Sequence, residues 1–326
     1  MARAIRMHRF GGPEVLVWEP YDPGRPGSGE VLLRQEAVGL NFIDIYHRTG
    51  LYPLPALPAT PGVEGAGVVE AVGAGVTEVA VGDRVAYAGM PPGAYAELRL
   101  IPAHRLVKLP EFIATRQAAA MMLQGMTARY LLHGCYPVRS GTRILIHAAA
   151  GGVGLIVCQW AKHLGATVIG TVGSPEKAAI AQAHGCDYPV LYDREDLVAR
   201  VKAVTAGRGV DVVYDSVGQA TFMKSLDCVR PMGTVVSFGQ SSGSVPPLDL
   251  SLLTAKGSLF LTRPSVMHYT AARDDLLAHA RDLFEAVREG AVKIKIQQTY
   301  PLAEAARAHR DLESRKTTGS TVLIPG

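Results

Sequence analysis

The chain has 326 residues, of which 48% are hydrophobic and 19% are charged, and its formal net charge is +4. This length suits about two domains of roughly 150 residues, and the composition is that of a globular protein. The small positive charge is dispersed and no run of five or six basic residues occurs, so no nucleic-acid-binding segment is visible. No run of about 18 apolar residues occurs, which argues against a membrane-spanning helix.

The first part of the chain, residues 1–125, is rich in Gly and Pro and contains short β-type runs. The predicted strands are Glu30–Val38, Gly67–Val72, Arg84–Ala88 and Tyr95–Leu100. Turn sequences containing Gly and Pro separate these runs. Short strands at this spacing predict a small β-barrel-like domain.

From Arg143 onward, apolar strand-like runs alternate with segments of helical length. The predicted strands are Ile144–His147, Thr167–Val172, a short one at Leu191, Val210–Asp215, Thr234–Phe238 and Ser258–Thr262. The predicted helices are Gly152–Leu164, Pro175–His184, Glu195–Thr205, Gln219–Val229 and Leu250–Lys256. This alternation predicts a parallel sheet covered by helices on both faces.

After Pro264 the pattern changes again. The predicted elements are a long amphipathic helix, Ala271–Glu289, a strand, Val292–Gln298, a helix, Leu302–Leu312, and a strand, Ser320–Ile324. These elements can form a third unit or return to the first domain, and their spacing leaves both arrangements open.

The segment Ile144–Gly154 reads ILIHAAAGGVG. An apolar strand runs into a turn of small residues and then directly into a helix. Aligned on Ala149, Gly151 and Gly154, the turn has the dinucleotide-binding pattern with alanine at its first glycine position. We interpret it as a pyrophosphate-binding turn at a helix N-terminus, in preference to a purely structural turn.

The end of the next strand indicates which nucleotide is bound. NAD-binding proteins usually place an acid there to hold the ribose 2′-hydroxyl, but residues 171–174 contain none. Ser174 and Lys177 offer a hydroxyl and an ammonium beside the helix start at Pro175, a setting that suits a 2′-phosphate. The sequence therefore predicts NADPH over NADH, with Lys177 as a solvated helix residue being the alternative.

Several motifs together carry a family resemblance along nearly the whole chain. They are GGPEVL (11–16), VGLNFIDIYHRTGLYP (38–53), PGVEGAG (61–67), VGDRV (81–85), GAYAE (93–97), HAAAGGVG (147–154), YDSVG (214–218) and GSLFLTRPS (257–265). The chain resembles the medium-chain dehydrogenase/reductase superfamily and, within it, the zinc-independent, zeta-crystallin-like NADPH:quinone oxidoreductases.

The resemblance implies an α/β fold with a GroES-like, β-rich catalytic domain and an inserted, doubly wound Rossmann domain. The implied boundaries are 1–125 for the catalytic domain, 126–265 for the NADPH-binding domain and 266–326 for a C-terminal segment returning to the catalytic domain. The implied activity is hydride transfer from NADPH to a quinone.

The residues argue against the zinc sites of related alcohol dehydrogenases. Those enzymes carry a cysteine where this chain has Asn41 and a GHE sequence where it has Gly62–Glu64. Valine at the histidine position cannot bind a metal, and an amide is a poor zinc ligand. No cysteine lies between Leu98 and His133, where the structural zinc lobe would follow. We expect catalysis without a metal, in which the protein orients the nicotinamide and its acceptor.

Three residues are candidates for the reaction itself. Reduction of a quinone places negative charge on oxygen, so nearby hydrogen-bond donors should help. The motif that lines the active cleft of similar enzymes contains Asn41, Tyr46 and Tyr52. We expect Asn41 to hold the nicotinamide end, and Tyr46 and Tyr52 to shape or protonate the acceptor, with Tyr52 as a packing residue in a Pro-containing loop as the alternative. Asp44 is expected to structure the turn and His47 to be exposed.

The resemblance implies further cofactor contacts, besides Asn41 and Tyr46. Those near the nicotinamide and the pyrophosphate turn are Thr127, Tyr130, Gly151, Gly152 and Val153. Those in the 2′-phosphate pocket are Gly173, Ser174, Lys177 and Tyr192. Those in the groove beyond the sheet are Ser216, Phe238, Gly239, Ser241 and Arg263, with Phe238 as a sheet-core residue being the alternative. The C-terminal segment contributes Arg315, and Gln124 has no assigned role.

The partners follow from the same resemblance. We expect a small-molecule quinone substrate, no membrane partner, and a homodimer formed through the strand at 257–261. The four cysteines have no CxxC spacing and are expected to be free, buried thiols in a reducing cytoplasm. Alternative functions are reduction of α,β-unsaturated aldehydes or ketones with NADPH, and a non-enzymatic crystallin-like or RNA-binding role.

Overall fold

The structure is a computed structural model that describes residues 1–326. The chain forms two compact units. The first consists of Met1–Met126, Tyr269–Phe284 and Ile294–Gly326, and the second consists of Thr127–His268 and Glu285–Lys293. No helix in the structure combines the length and the apolar composition that crossing a membrane requires.

The strands are β1 Arg3–Arg6, β2 Val17–Pro20, β3 Glu30–Leu40, β4 Glu64–Val72, β5 Arg84–Ala88, β6 Leu98–Pro102, β7 Val107–Lys108, β8 Arg143–Ile146, β9 Thr167–Val172, β10 Tyr188–Leu191, β11 Val210–Asp215, β12 Val229–Ser237, β13 Phe260–Thr262, β14 Ile296–Pro301 and β15 Ser320–Ile324. The helices are α1 Phe42–Thr49, α2 Thr115–Ala118, α3 Met122–Arg129, α4 Gly152–His163, α5 Pro175–Ala183, α6 Leu197–Val204, α7 Phe222–Cys228, α8 Ser251–Ala255, α9 Val266–Tyr269, α10 Arg273–Arg288 and α11 Ala305–Glu313.

The second unit contains a six-stranded sheet in the order β10-β9-β8-β11-β12-β13, and every neighbouring pair is parallel. Counted from β8, this is the order 3-2-1-4-5-6 of a doubly wound dinucleotide-binding fold. The central strand β8 is apolar and fully buried at Ile144, Leu145 and Ile146, as expected for a strand covered on both faces. The predicted parallel sheet is confirmed.

The first unit contains a seven-stranded sheet in the order β14-β15-β3-β4-β5-β7, with β6 paired to β3. Strand β15 pairs antiparallel with β3, with Thr321 opposite Leu40. The last strand of the chain therefore belongs to the same sheet as the N-terminal strands. Ile5, Leu33 and Leu323 belong to one hydrophobic core, which also contains Ala305 and Ala308 of α11.

Some predicted boundaries are wrong. The strand predicted at Val292–Gln298 begins at Ile296 and ends at Pro301, because it is positioned by parallel pairing with β15. The strand predicted at Tyr95–Leu100 begins at Leu98, because β6 pairs with β3 from Leu98 to Pro102. Of the cysteines, all four are free, but Cys135 is only partly buried.

The predicted Pro-containing loop after Asn41 is partly a helix, α1. Its N-terminus is fixed by the main-chain amide of Asn41, which donates to Asp44 Oδ2 at 2.9 Å. The helix is capped at its C-terminus by Gly50, which has a φ of 81° and so adopts the left-handed conformation that glycine readily takes. Asp44 structures this turn, as expected. His47 is 4% exposed, so the expectation of an exposed histidine is wrong, because its side of α1 faces the core.

Candidate functional site

The glycine turn after β8 has the geometry of an anion-binding turn. Gly151 is the N-cap of α4, which begins at Gly152. The first amides of a helix have no acceptor within the helix and favour negative charge. Gly152 and Val153 contribute two of these amides. The helix dipole and these N–H groups can therefore receive a pyrophosphate.

The third glycine of the pattern is required by close packing. A Cβ on Gly154 would lie 2.3 Å from the carbonyl oxygen of Ala148 and 2.7 Å from that of Ala149. A Cβ on Gly151 would have Ala148 O as its nearest neighbour, at 3.2 Å. Gly154 thus allows α4 to pack closely on the turn. Gly151, which has no side chain, allows a ligand to approach the main chain of the turn.

The predicted 2′-phosphate residues meet at the carboxyl ends of β9 and β10. Ser174 is the N-cap of α5 and its Oγ accepts from the main-chain amide of Lys177 at 3.3 Å. A Cβ on Gly173 would lie 2.7 Å from Tyr192 Oη. The hydrogen bond from Ser174 lowers the pKa of the exposed Glu176, an acid two positions after Ser174. Ser174, Lys177 and Tyr192 thus follow strands β9 and β10 at one edge of the sheet.

A second group of predicted residues lies at and beyond the carboxyl ends of β11, β12 and β13. Ser241 donates its main-chain amide to Ser216 O at 3.2 Å, and a Cβ on Gly239 would lie 2.7 Å from the same oxygen. Arg263 donates to Ser237 Oγ at 3.1 Å and to Gln240 Oε1 at 2.9 Å. Phe238 is half-buried. Nucleotides bind at this edge of doubly wound sheets.

The other predicted cofactor residues lie on other elements of the two units. Thr127 lies on α3 and Tyr130 begins a π-helical turn after it, and they are 7% and 2% exposed. Arg315 follows α11 with a φ of 59° and is exposed. Arg315 belongs to the first unit, whereas Thr127 and Tyr130 belong to the second.

A buried polar network, not assigned from the sequence, supports the glycine turn. His147 lies within hydrogen-bond distance of Thr171 Oγ1 and of Ser225 Oγ, at 3.0 Å each. Ser225 Oγ donates to Asp215 Oδ2 at 2.8 Å, and Asp215 Oδ1 accepts from the amide of Val217 at 2.8 Å. Burial lowers the pKa of His147. A neutral imidazole therefore ties together the carboxyl ends of β8, β9 and β11.

The three predicted reaction residues lie on or beside α1. The rings of Tyr46 and Tyr52 meet edge to face, with centroids 5.1 Å apart, and the amide of Tyr52 donates to Tyr46 O at 3.0 Å. Tyr46 and Asn41 are each 8% exposed and Tyr52 is half-buried. The structure thus brings the two phenols together, and Asn41 precedes the same helix.

Asn41 is held by groups that sequence reasoning did not identify. Its Nδ2 donates to Glu64 Oε2 at 2.6 Å, and its Oδ1 accepts from Gln124 Nε2 at 3.2 Å. Glu64 also accepts from the amide of Leu123 at 2.8 Å. Burial of this carboxyl raises its pKa to about 8, against the opposing effect of these hydrogen bonds. The only signal in the sequence was an acid inside the PGVEGAG motif.

Two family models match the chain, the alcohol dehydrogenase GroES-like domain over residues 27–111 and zinc-binding dehydrogenase over residues 152–282. A quinone oxidoreductase from Pseudomonas aeruginosa is 53% identical over 325 residues, covering 100% of both chains. A 2-haloacrylate reductase from Burkholderia is 46% identical over 332 residues, covering 100% of this chain and 99% of the relative. The structure of Escherichia coli quinone oxidoreductase complexed with NADPH matches with a TM-score of 0.98 and 48% identity, covering 99% of this chain and 100% of that one.

The chain belongs to the quinone oxidoreductases of the medium-chain dehydrogenase/reductase superfamily. The predicted family is therefore confirmed. So is the predicted fold class, a GroES-like catalytic domain with a Rossmann-type domain.

In this chain the residues at the positions of the zinc ligands of related dehydrogenases make other contacts. The amide of Asn41 is hydrogen-bonded to Glu64 and Gln124, and Val63 is fully buried. No group of three or more His, Cys, Asp or Glu side chains is arranged to hold a metal ion. Zinc-independent catalysis stays a prediction, to be tested by metal analysis of the active protein.

A second buried network of hydrogen bonds holds α1 in place. Arg48, 1% exposed, donates from Nη2 and Nη1 to the carboxylate of Glu313 at 2.6 and 3.0 Å. Its Nη1 also lies 3.1 Å from His309 Nδ1, and Tyr95 Oη lies 3.0 Å from His309 Nε2. Tyr95 in turn donates to Asp44 Oδ2 at 3.1 Å. The network joins α1, which carries Tyr46, to α11.

Proposed function

We propose that this chain transfers hydride from NADPH to quinones. The observation that carries the proposal is the cluster of Ser174, Lys177 and Tyr192 beside a glycine turn, in a chain closely related along its whole length to quinone oxidoreductases. The use of NADPH is further supported by the related E. coli quinone oxidoreductase, whose structure contains that nucleotide. The half-buried Lys177 on α5 is suited to the 2′-phosphate, and the amides of α4 are suited to the pyrophosphate.

The residues of the chain suit distinct parts of this reaction. When bound, NADPH supplies the hydride that the acceptor takes up. Asn41 holds the nicotinamide end, and its amide is already fixed by two buried partners. The phenols of Tyr46 and Tyr52 orient the quinone and donate toward the oxygen on which charge develops. Tyr46 and Tyr52 support one another by their edge contact, which limits the freedom of both rings.

The assignment of the cofactor residues and domains is part of this proposal. The binding set is Asn41, Tyr46, Thr127, Tyr130, Gly151, Gly152, Val153, Gly173, Ser174, Lys177, Tyr192, Ser216, Phe238, Gly239, Ser241, Arg263 and Arg315. The catalytic domain consists of 1–125 and the returning segment 266–326, and the NADPH domain consists of 126–265. The pairing of β15 with β3 supports the return of the C-terminal segment.

A second acceptor class is favoured by one observation, the similarity to a relative named 2-haloacrylate reductase. Its substrate, like an alkenal, carries a carbon–carbon double bond conjugated to a carbonyl group. Hydride transfer to such a substrate also places negative charge on a carbonyl oxygen, so the same donors would serve. Quinones and these conjugated acceptors are distinguished by pocket shape, and therefore by comparison of rates.

The direct test is to follow loss of NADPH absorbance with para-benzoquinone, with an alkenal and with 2-chloroacrylate under identical conditions. We expect turnover with the quinone at a kcat/KM at least about tenfold above either alternative, a difference of about 1.4 kcal/mol in transition-state binding. Faster reduction of an alkenal or haloacrylate would replace the proposed acceptor. NADPH binding without any turnover would favour a crystallin-like or RNA-binding role, and one tightly held zinc per active chain would contradict zinc independence.

The proposed 2′-phosphate pocket predicts a loss of nucleotide selectivity in Lys177→Ala. Removal of the ammonium should raise KM for NADPH by about tenfold, because a hydrogen bond to a charged group contributes about 1.5–3 kcal/mol. KM for NADH should change little. Steady-state kinetics with both nucleotides measure the ratio, with Lys224→Ala on the exposed face of α7 as the matched control. An unchanged ratio in Lys177→Ala would remove this residue from the pocket.

We also propose a cytoplasmic homodimer. Strand β13 lies at the edge of the six-stranded sheet, and Phe260 and Leu261 on it are 64% and 37% exposed. An apolar sheet edge of this kind is suited to pairing with a second copy. The free cysteines support a reducing compartment. The dispersed charge of +4 does not favour nucleic acid as a primary partner.

A further inference from the structure

The side chains around Asn41 form a chain of hydrogen bonds that all point the same way. Ser320 Oγ donates to Gln124 Oε1 at 2.7 Å, and Gln124 Nε2 donates to Asn41 Oδ1 at 3.2 Å. Asn41 Nδ2 then donates to Glu64 Oε2 at 2.6 Å. None of the four residues is more than 8% exposed. Hydrogen bonds in such a chain polarise and strengthen one another.

The direction of this chain is set at its Glu64 end. The other oxygen of Glu64, Oε1, faces the main-chain amide of Leu123 at 2.8 Å, which can only donate. This bond leaves Oε2 to face Asn41. While Oε2 accepts, Asn41 must present Nδ2 to it and Oδ1 to Gln124. A group at the Oε2 position that donates to Asn41 would require the opposite orientation, because each hydrogen bond has one donor and one acceptor.

The remainder of the chain can reverse without losing a bond. If the carboxamides of Asn41 and Gln124 were both rotated by 180°, Asn41 Nδ2 would donate to Gln124 Oε1. Gln124 Nε2 would then donate to the hydroxyl oxygen of Ser320, which can accept as well as donate. Gln124 and Ser320 are consequently compatible with both directions. Only Glu64, anchored by the Leu123 amide, distinguishes between them.

We propose that Glu64 is a positioning residue, which sets the direction of the Ser320–Gln124–Asn41 chain and so fixes which end of the Asn41 carboxamide is offered to the reaction. The importance of this orientation for catalysis rests on the proposed function, whereas the orientation itself does not. Asn41 retains one Nδ2 hydrogen and one Oδ1 lone pair beyond the two bonds described. Reversal of the chain exchanges the places of that donor and that acceptor.

The variant Glu64→Gln places an amide NH2 at the Oε2 position, since Leu123 requires an oxygen at the other. It thus imitates a Glu64 that is protonated at Oε2 and donates from that hydroxyl to Asn41. The ionisable groups that act on Glu64 from neighbouring elements are Asp44 of α1, Tyr87 of β5 and Tyr95. Burial raises the pKa of both tyrosines above 10, so they remain neutral. Asp44 is the neighbour whose ionisation must be distinguished.

The first experiment follows the Asn41 side-chain amide by NMR in nucleotide-free, 15N-asparagine-labelled protein, with the signal assigned by its loss in Asn41→Asp. We expect the two amide proton shifts to change together across a transition near pH 8, where Glu64 ionises. The transition should persist in Asp44→Asn and be absent from Glu64→Gln. Amide shifts that are the same in wild type and Glu64→Gln on both sides of pH 8 would overturn the inference.

The second experiment compares kcat for quinone reduction across the same pH range. Wild type should pass between two plateaus that differ by about tenfold or more, whereas Glu64→Gln should keep the acid plateau throughout. The control Glu70→Gln, on the exposed face of the same strand β4, should follow wild type. Wild-type kcat without this step, or a step retained in Glu64→Gln, would overturn the positioning role. If the NMR transition occurs but quinones are not reduced, the proposed function fails and the orientation by Glu64 stands.

Discussion

Gly154→Ala should destabilise the fold, and Gly151→Ala should leave the fold intact but weaken NADPH binding. The added methyl group at 154 would lie 2.3 and 2.7 Å from two carbonyl oxygens of the turn, so β8, the turn or α4 must move. We expect a loss of about 3 kcal/mol in the free energy of unfolding, despite the better helix propensity of alanine. At 151 the nearest atom would be 3.2 Å away and φ is −80°, which alanine tolerates.

The methyl group at 151 should act on the ligand instead. In the dinucleotide pattern this position allows the main chain to approach the pyrophosphate closely. We expect Kd for NADPH to rise by about a hundredfold, or about 3 kcal/mol, with a change in stability below about 1 kcal/mol. Urea unfolding and titration of NADPH fluorescence measure the two quantities. NADPH binding at wild-type strength in Gly151→Ala would refute the proposed position of the pyrophosphate, and wild-type stability of Gly154→Ala would refute the packing argument.

Much of the fold could be predicted because its signals are local. Runs of apolar residues bounded by turn sequences gave correct bounds for Arg84–Ala88, Thr167–Val172, Val210–Asp215 and Ser320–Ile324. The glycine turn is equally local, since strand, turn and helix are contiguous in the chain. Local hydrophobic periodicity and turn residues contain this information.

The partners of the candidate site could not be predicted, because they are distant in sequence. Asn41 and Glu64 are separated by 23 positions, Leu123 and Glu64 by 59, and Gln124 and Ser320 by 196. The pairing of β3, β4 and β15 in one sheet, together with the position of α3, brings these segments together. Helix α1 is a different case, since its capping residues Asn41 and Asp44 are visible in the sequence but were obscured by the neighbouring prolines.

Asp44→Asn should make the protein more stable than wild type at alkaline pH but not at acid pH. Burial raises the pKa of Asp44 to about 7 from the ordinary 3.8, in spite of the hydrogen bonds from Asn41 and Tyr95. The folded protein therefore retains a proton that the unfolded chain releases between about pH 4 and pH 7. The stabilisation that comes from the raised pKa of Asp44 is complete below pH 4. It is lost as the pH rises toward 7, and the free energy of unfolding falls by up to about 1.4 kcal/mol per pH unit. The full loss is about 4 kcal/mol.

An asparagine at this position has no proton to release, so the difference between variant and wild type isolates Asp44. The subtraction matters because His309 acts in the opposite sense. Burial and the neighbouring Arg48 lower the pKa of His309 to about 3, so its contribution is lost as the pH falls from about 6.5 toward 3. Urea unfolding of wild type, Asp44→Asn and the exposed-site control Asp22→Asn at several pH values gives the difference curves. If the difference in free energy of unfolding between Asp44→Asn and wild type stays constant from pH 4 to pH 8, the pKa of Asp44 is not raised by folding. Asp44 would then be ionised in the folded protein over this range, beside Tyr95 and His309.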